Sequence, residues 1–123
     1  MNTEKPISSA PVVPLDEILR TDPNGDGVHW TLEADGDLNV NLVHLDPGSG
    51  IETHVNRELD VVVIVLEGNG RLRLDGTGHA LAPHVLALMS KGTERSISAG
   101  PYGLSYLTVH RRRSPLGITG SRG

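Results

Sequence analysis

Short apolar runs, each closed by a turn signal, follow one another along most of this chain. VHWTL (28–32) precedes Asp35-Gly36, a hairpin signal. In DLNVNLVHL (37–45), Leu38, Val40 and Leu42 alternate with Asn39 and Asn41, the pattern of a half-buried strand. DPGSG breaks that run. VVVIVL (61–66) is aliphatic on both faces and ends at Glu67-Gly68-Asn69-Gly70, which reads as a turn. RLRLD (71–75), HAL (79–81), VLALM (85–89), ERSIS (94–98) and, after a Gly100-Pro101 turn, GLSYLTVH (103–110) complete the series. Such a succession predicts an antiparallel sandwich or small barrel. The one helical signal is PLDEILR (14–20), where Pro14 suits a first turn and Leu15, Ile18 and Leu19 share a face. TDPNGDG (21–27) is a turn cluster. Residues 1–13, rich in Pro and Ser, read as a flexible arm, 14–110 as one domain, and 111–123 as a flexible basic tail.

Both faces of 61–66 need cover, since a strand in a half-exposed sheet alternates with polar residues. One face can line a barrel interior. The other needs the segment around Leu15 to Leu19, neighbouring strands, or a second copy of the chain; a homodimer is the expectation. Composition sharpens the fold class. With one Trp, two Tyr and no Phe, the core must be built from Val, Leu and Ile, which favour pleated surfaces. A formal charge of -4 and the scarcity of aromatics argue against nucleic acid, through either phosphate attraction or base stacking. Arg111-Arg112-Arg113 is too short a basic run to change that. Absence of cysteine excludes disulfides and thiolate metal sites. No apolar run is long enough to span a bilayer as a helix, and the opening residues lack the apolar stretch of a signal peptide. The expectation is a soluble, cytoplasmic protein.

From 38 to 110 the chain resembles the cupin family, the double-sheet jelly-roll barrels. The resemblance rests on Pro47-Gly48, His54-Val55-Asn56, Glu58, Asp60 and VVVIVLEG for the first cupin motif. For the second it rests on Pro83-His84, VLALM and Ser90-Lys91-Gly92-Thr93-Glu94-Arg95. It implies an all-β, cupin-type jelly-roll barrel of short antiparallel strands with a short N-terminal helical turn. Metal-binding cupins use two motif-one histidines, a glutamate and a motif-two histidine. Against that pattern, His54 matches, Asn56 replaces the second histidine and Arg95 replaces the motif-two histidine. Counting from His54 puts Asp60 at the acid position, while counting back from Gly68 puts Val61 there. Glu58 shares Asp60's parity if the segment stays extended.

The resemblance therefore implies a degenerate metal site. Arginine has no lone pair, and a guanidinium in the same cavity repels a divalent cation. No cofactor is expected; a divalent metal, if one is held, would use His54 and Asp60, with His44 or His110 as further donors. The favoured reading is a barrel binding a small polar or anionic molecule, with His54, Asn56, Glu58, Asp60, Arg95 and Tyr106 as its site. Arg95 would be the charge anchor, Asn56 would orient the ligand, and Asp60 or Glu58 would set the state of His54. His54 would also be the acid–base residue if a reaction is catalysed. Two alternatives stand beside it: a metal-dependent cupin enzyme of dioxygenase or isomerase type with an altered ligand set, and a structural or regulatory dimer with a filled barrel.

Overall fold

The structure, a computed structural model, describes residues 7–8, 12–20, 25–32 and 36–112. Its elements in chain order are β1 (Ile7–Ser8), α1 (Leu15–Leu19), β2 (Gly27–Leu32), β3 (Leu38–Leu45), β4 (Gly50–Val55), β5 (Val61–Leu74), β6 (Thr77–Leu81), β7 (Leu86–Met89) and β8 (Glu94–Arg111). Strand neighbours run β1-β2-β3-β8-β5-β6, with β4 on β8 and β7 on β5. All pairings are antiparallel except β1 with β2, where Ile7 and Ser8 meet Thr31 and Leu32 in parallel. The rest of the expected arm, and the tail from 113 onward, lie outside the described residues.

The two long strands, β5 and β8, each pair along two separate stretches. The first half of β5 pairs with β7 and the last half of β8; its second half pairs with β6 and the first half of β8. The two segments read from sequence as chain reversals, 67–70 and 100–101, are therefore corners inside continuous strands. Steric facts explain why glycine stands there. Gly68 has a φ of 83°, and a Cβ on it would run into the carbonyl oxygen of Gly103. Where two backbones approach this closely, a strand can bend without ending.

Each corner contains register shifts, between Val65 and Glu67 and between Gly68 and Gly70. They change which residues face inward. In β5, Val61, Val63 and Val65 are buried in the barrel core before the corner and Leu72 after it. In β8, Ile97 and Ala99 are buried there before the corner, Leu104 and Tyr106 after it. Odd positions give way to even ones in both strands.

A second apolar cluster lies on the outer face of the β2-β3-β8-β5 sheet. Trp30, Leu42 and Leu107 are buried there, with Ile18, Leu19, Ile64 and Leu66 packed against them. The outward face of 61–66 is thus covered in part by α1, one of the covers the pattern called for. Full burial of such a side chain contributes roughly 1.5–3 kcal/mol. In β3 the alternation resolves with the apolar half outside, under this cluster, while Thr31, Asn41 and Asn39 form a hydrogen-bonded ladder (2.7 and 3.0 Å) on the other face. Among the described residues, no helix is long and apolar enough to cross a membrane.

Candidate functional site

The first half of β8 and its neighbour β4 bring the two central residues together. His54 and Arg95 are direct antiparallel partners, so their side chains leave the same face. Arg95 shares the inward parity of Ile97, and it is only 4% exposed. Both His54 and Arg95 line a cavity of about 620 Å³. Its apolar walls come from Val43, Ile51, Leu59, Val61, Met89 and Ile97. Tyr106, Thr108 and His110, at alternate positions of β8, line it as well.

Electrostatically the cavity is one-sided. Among the described residues its lining holds Arg95, Arg112, His54 and His110 and no Asp or Glu, in a chain whose formal charge is -4. Nε and Nη1 of Arg95 are buried and have no hydrogen-bond partner among the described residues. Burial pushes the guanidinium below its ordinary pKa. An unpaired buried charge is costly, which is why such groups are nearly always matched. Burial also pushes the Tyr106 phenol up to about 12, so it remains a neutral donor.

Polar neighbours are committed elsewhere. His54 Nδ1–H donates to the Glu52 carbonyl (3.0 Å), leaving Nε2 as its other ring nitrogen. His110 Nδ1–H donates likewise to the Arg111 carbonyl (2.9 Å). Asn56 Oδ1 accepts from the backbone N–H groups of Glu58 (2.9 Å) and Leu59 (3.0 Å), closing an Asx turn. That turn corrects the expected acid placement. Because β4 ends at Val55, the strand parity counted from His54 does not extend to 60. Leu59 turns inward instead (4% exposed), while Glu58 and Asp60 are exposed and outside the cavity lining. Asp60 Oδ1 accepts from the Lys91 backbone N–H (2.8 Å). Of the six expected site residues the cavity gathers His54, Asn56, Arg95 and Tyr106, and leaves out Glu58 and Asp60. Asn56 keeps only its amide NH₂ for anything in the cavity.

The residues present do not fit the metal that the cupin pattern implies. No group of three or more His, Asp or Glu able to hold an ion occurs among the described residues. Asp60 is engaged with Lys91, and the position opposite His54 carries a buried cation. His44 lies on the outer face of β3, away from His54, with Nε2 at 3.2 Å from Asp46 Oδ1 and Nδ1 at 2.9 Å from Ser105 Oγ. The His29 ring lies beside it at 5.4 Å. The Asp46 backbone N–H, then the Ser49 hydroxyl, hold the adjoining Asp26 carboxyl below its usual range.

Sequence reasoning missed Asn39, Val28 and Met89 as cavity lining. Asn39 carried a signal: a polar residue on a barrel strand faces either solvent or a polar mouth, and alternation alone does not say which.

No family model matches the sequence, and no curated protein matches it. Solved structures do. A cupin-2 domain containing protein from Shewanella frigidimarina has a TM-score of 0.68 at 17% identity, over 82% of this chain and 95% of that one. A conserved protein with a double-stranded β-helix domain from Klebsiella pneumoniae has a TM-score of 0.67 at 19% identity, over 83% and 90%. KdgF from a Halomonas species has a TM-score of 0.63 at 20% identity, over 70% and 79%. The fold is that of the cupin double-stranded β-helix proteins.

Proposed function

We propose that this cupin-fold chain binds a small anionic molecule in its barrel, with Arg95 as the charge anchor and no metal of the usual cupin set. One observation carries the reading: a guanidinium 4% exposed, with two nitrogens unpartnered, in a cavity whose described lining has no carboxylate. An incoming oxyanion would supply the missing acceptors through charge-assisted hydrogen bonds. The cavity volume, about 620 Å³, is within the usual range for small-molecule sites. A second reading, acid–base conversion of the bound anion, is favoured by His54, which stands opposite Arg95 with Nε2 uncommitted. A homodimer belongs to the same proposal: Leu86 and Leu88 on β7 are 64% and 51% exposed and lie beside Ile64 and Val62.

The test is thermal melting of the full chain with a panel of small carboxylates and inorganic phosphate. At least one anion is expected to raise the melting temperature of the wild type and leave Arg95→Met unmoved. Equal shifts in both proteins would overturn the reading. Divalent metals are expected to shift wild type and His54→Ala alike; a shift confined to the wild type would restore a metal site. Light scattering at micromolar concentration checks the dimer, and a monomeric mass rejects it.

A further inference from the structure

The walls of the cavity say what the anion is attached to. We infer that the barrel takes a monocarboxylate on an apolar body, an aliphatic or arylaliphatic acid, and discriminates against sugar acids and phosphate esters. This deepens the anion-binding reading and rests on it.

Charge comes first. Among the described lining residues Arg95 is the one buried cation; Arg112 is exposed. One guanidinium balances one carboxylate. A phosphate monoester brings about -1.5 to -2 charges and three acceptor oxygens, and wants a cluster of donors. Hydrogen-bonding capacity comes second. A polyol needs a partner for each hydroxyl it buries, and each one left unpaired weakens binding. Here part of that capacity is used within the protein. Asn56 Oδ1 serves two backbone amides, Asn39 Oδ1 accepts from Asn41, and Nδ1 of both His54 and His110 is tied to a carbonyl. The amide NH₂ groups of Asn39 and Asn56, Nε2 of His54 and His110, and the Tyr106 and Thr108 hydroxyls remain to assist a carboxylate, while along the apolar wall a sugar's hydroxyls meet no partner. Shape comes third. Six aliphatic or thioether side chains, from Val43 to Ile97, make up the apolar wall, and an apolar body gains by displacing water from them. Met89, at the end of β7, adds an unbranched side chain that adapts to bodies of different outline.

The experiment is calorimetric titration of the full chain with butanoate, hexanoate, octanoate and phenylacetate, then with glucuronate, glucose 6-phosphate and inorganic phosphate. Affinity is expected to rise about fourfold per methylene along the alkanoates. Arg95→Met should abolish this binding, and Arg95→Lys should keep part of it. Glucuronate or glucose 6-phosphate binding as tightly as octanoate, and lost in Arg95→Met, would overturn the apolar-body assignment and leave the anion reading standing. No heat with any probe would overturn both, as would octanoate binding equally to Arg95→Met. Circular dichroism melting of each variant establishes that it is folded before it is titrated.

Discussion

His44 and Arg95 are both buried polar residues on adjoining strands, yet the fold treats them in opposite ways. On the outer face, His44 has a partner at each ring nitrogen, Ser105 on one side and Asp46 on the other. On the inner face, Arg95 is buried more deeply and keeps two nitrogens unmatched. A satisfied buried polar group is a fastener: its hydrogen bonds join strands and its removal is felt as lost stability. An unsatisfied one in a cavity weakens the empty fold, and under the proposed function it is kept for the anion it meets there.

The comparison can be broken most directly at Arg95. Arg95→Met is expected to lower anion affinity by about 30- to 1000-fold, the usual effect of removing a buried charged partner, while stability without ligand stays level or rises. A marked loss of stability in urea would make Arg95 a fastener too and erase the distinction. His44→Ala should do the reverse. It leaves Ser105 without its partner and opens space, so it is expected to cost about 2–4 kcal/mol in urea unfolding, with anion affinity unchanged.

Tyr106 sharpens the inner side. Its folded pKa, about 12, lies above the ordinary 10.0, so the folded state holds the proton more tightly than the unfolded one. The resulting stability is complete below pH 10 and is lost as pH rises through about 12, on the order of 2 kcal/mol in all. In urea unfolding between pH 9 and 12, the wild type should lose stability relative to Tyr106→Phe, which has no phenol to ionise. Parallel profiles would mean the phenol is not desolvated. The smallest effect is expected from Asp60→Asn, which keeps an acceptor for Lys91 and should leave anion affinity within about twofold. A larger loss would bring Asp60 into the site.

Much of the fold was legible because aliphatic runs and turn residues recur at strand length. That His54 and Arg95 stand at ligand positions of the two cupin motifs followed from the resemblance; that they are strand partners is visible only in the structure. What escaped was everything that depends on parity beyond an irregularity. The Asx turn at Asn56 cancels the count from His54, so Asp60 could not be assigned a face from spacing alone. The glycine corners were read as reversals because EGNG and a Gly-Pro pair are strong turn signals locally. Only the opposing backbone, Gly103 against Gly68, turns them into bends. The unmatched state of Arg95 was out of reach, since sequence does not report which acceptors stand nearby.

The corner of β8 also acts as a reading frame. Arg95 and Ile97 on one side of it and Tyr106, Thr108 and His110 on the other enter the same cavity only because the intervening residues shift the count from odd to even. A substitution at any of these positions edits one letter of the ligand's surroundings. Deleting a single residue between Ala99 and Leu104 is expected instead to transpose the whole downstream word, presenting Ser105 and Leu107 to the cavity and sending Tyr106 and Thr108 to the outer face. Diversification of this pocket is thus open to point changes along β8 and closed to changes in corner length.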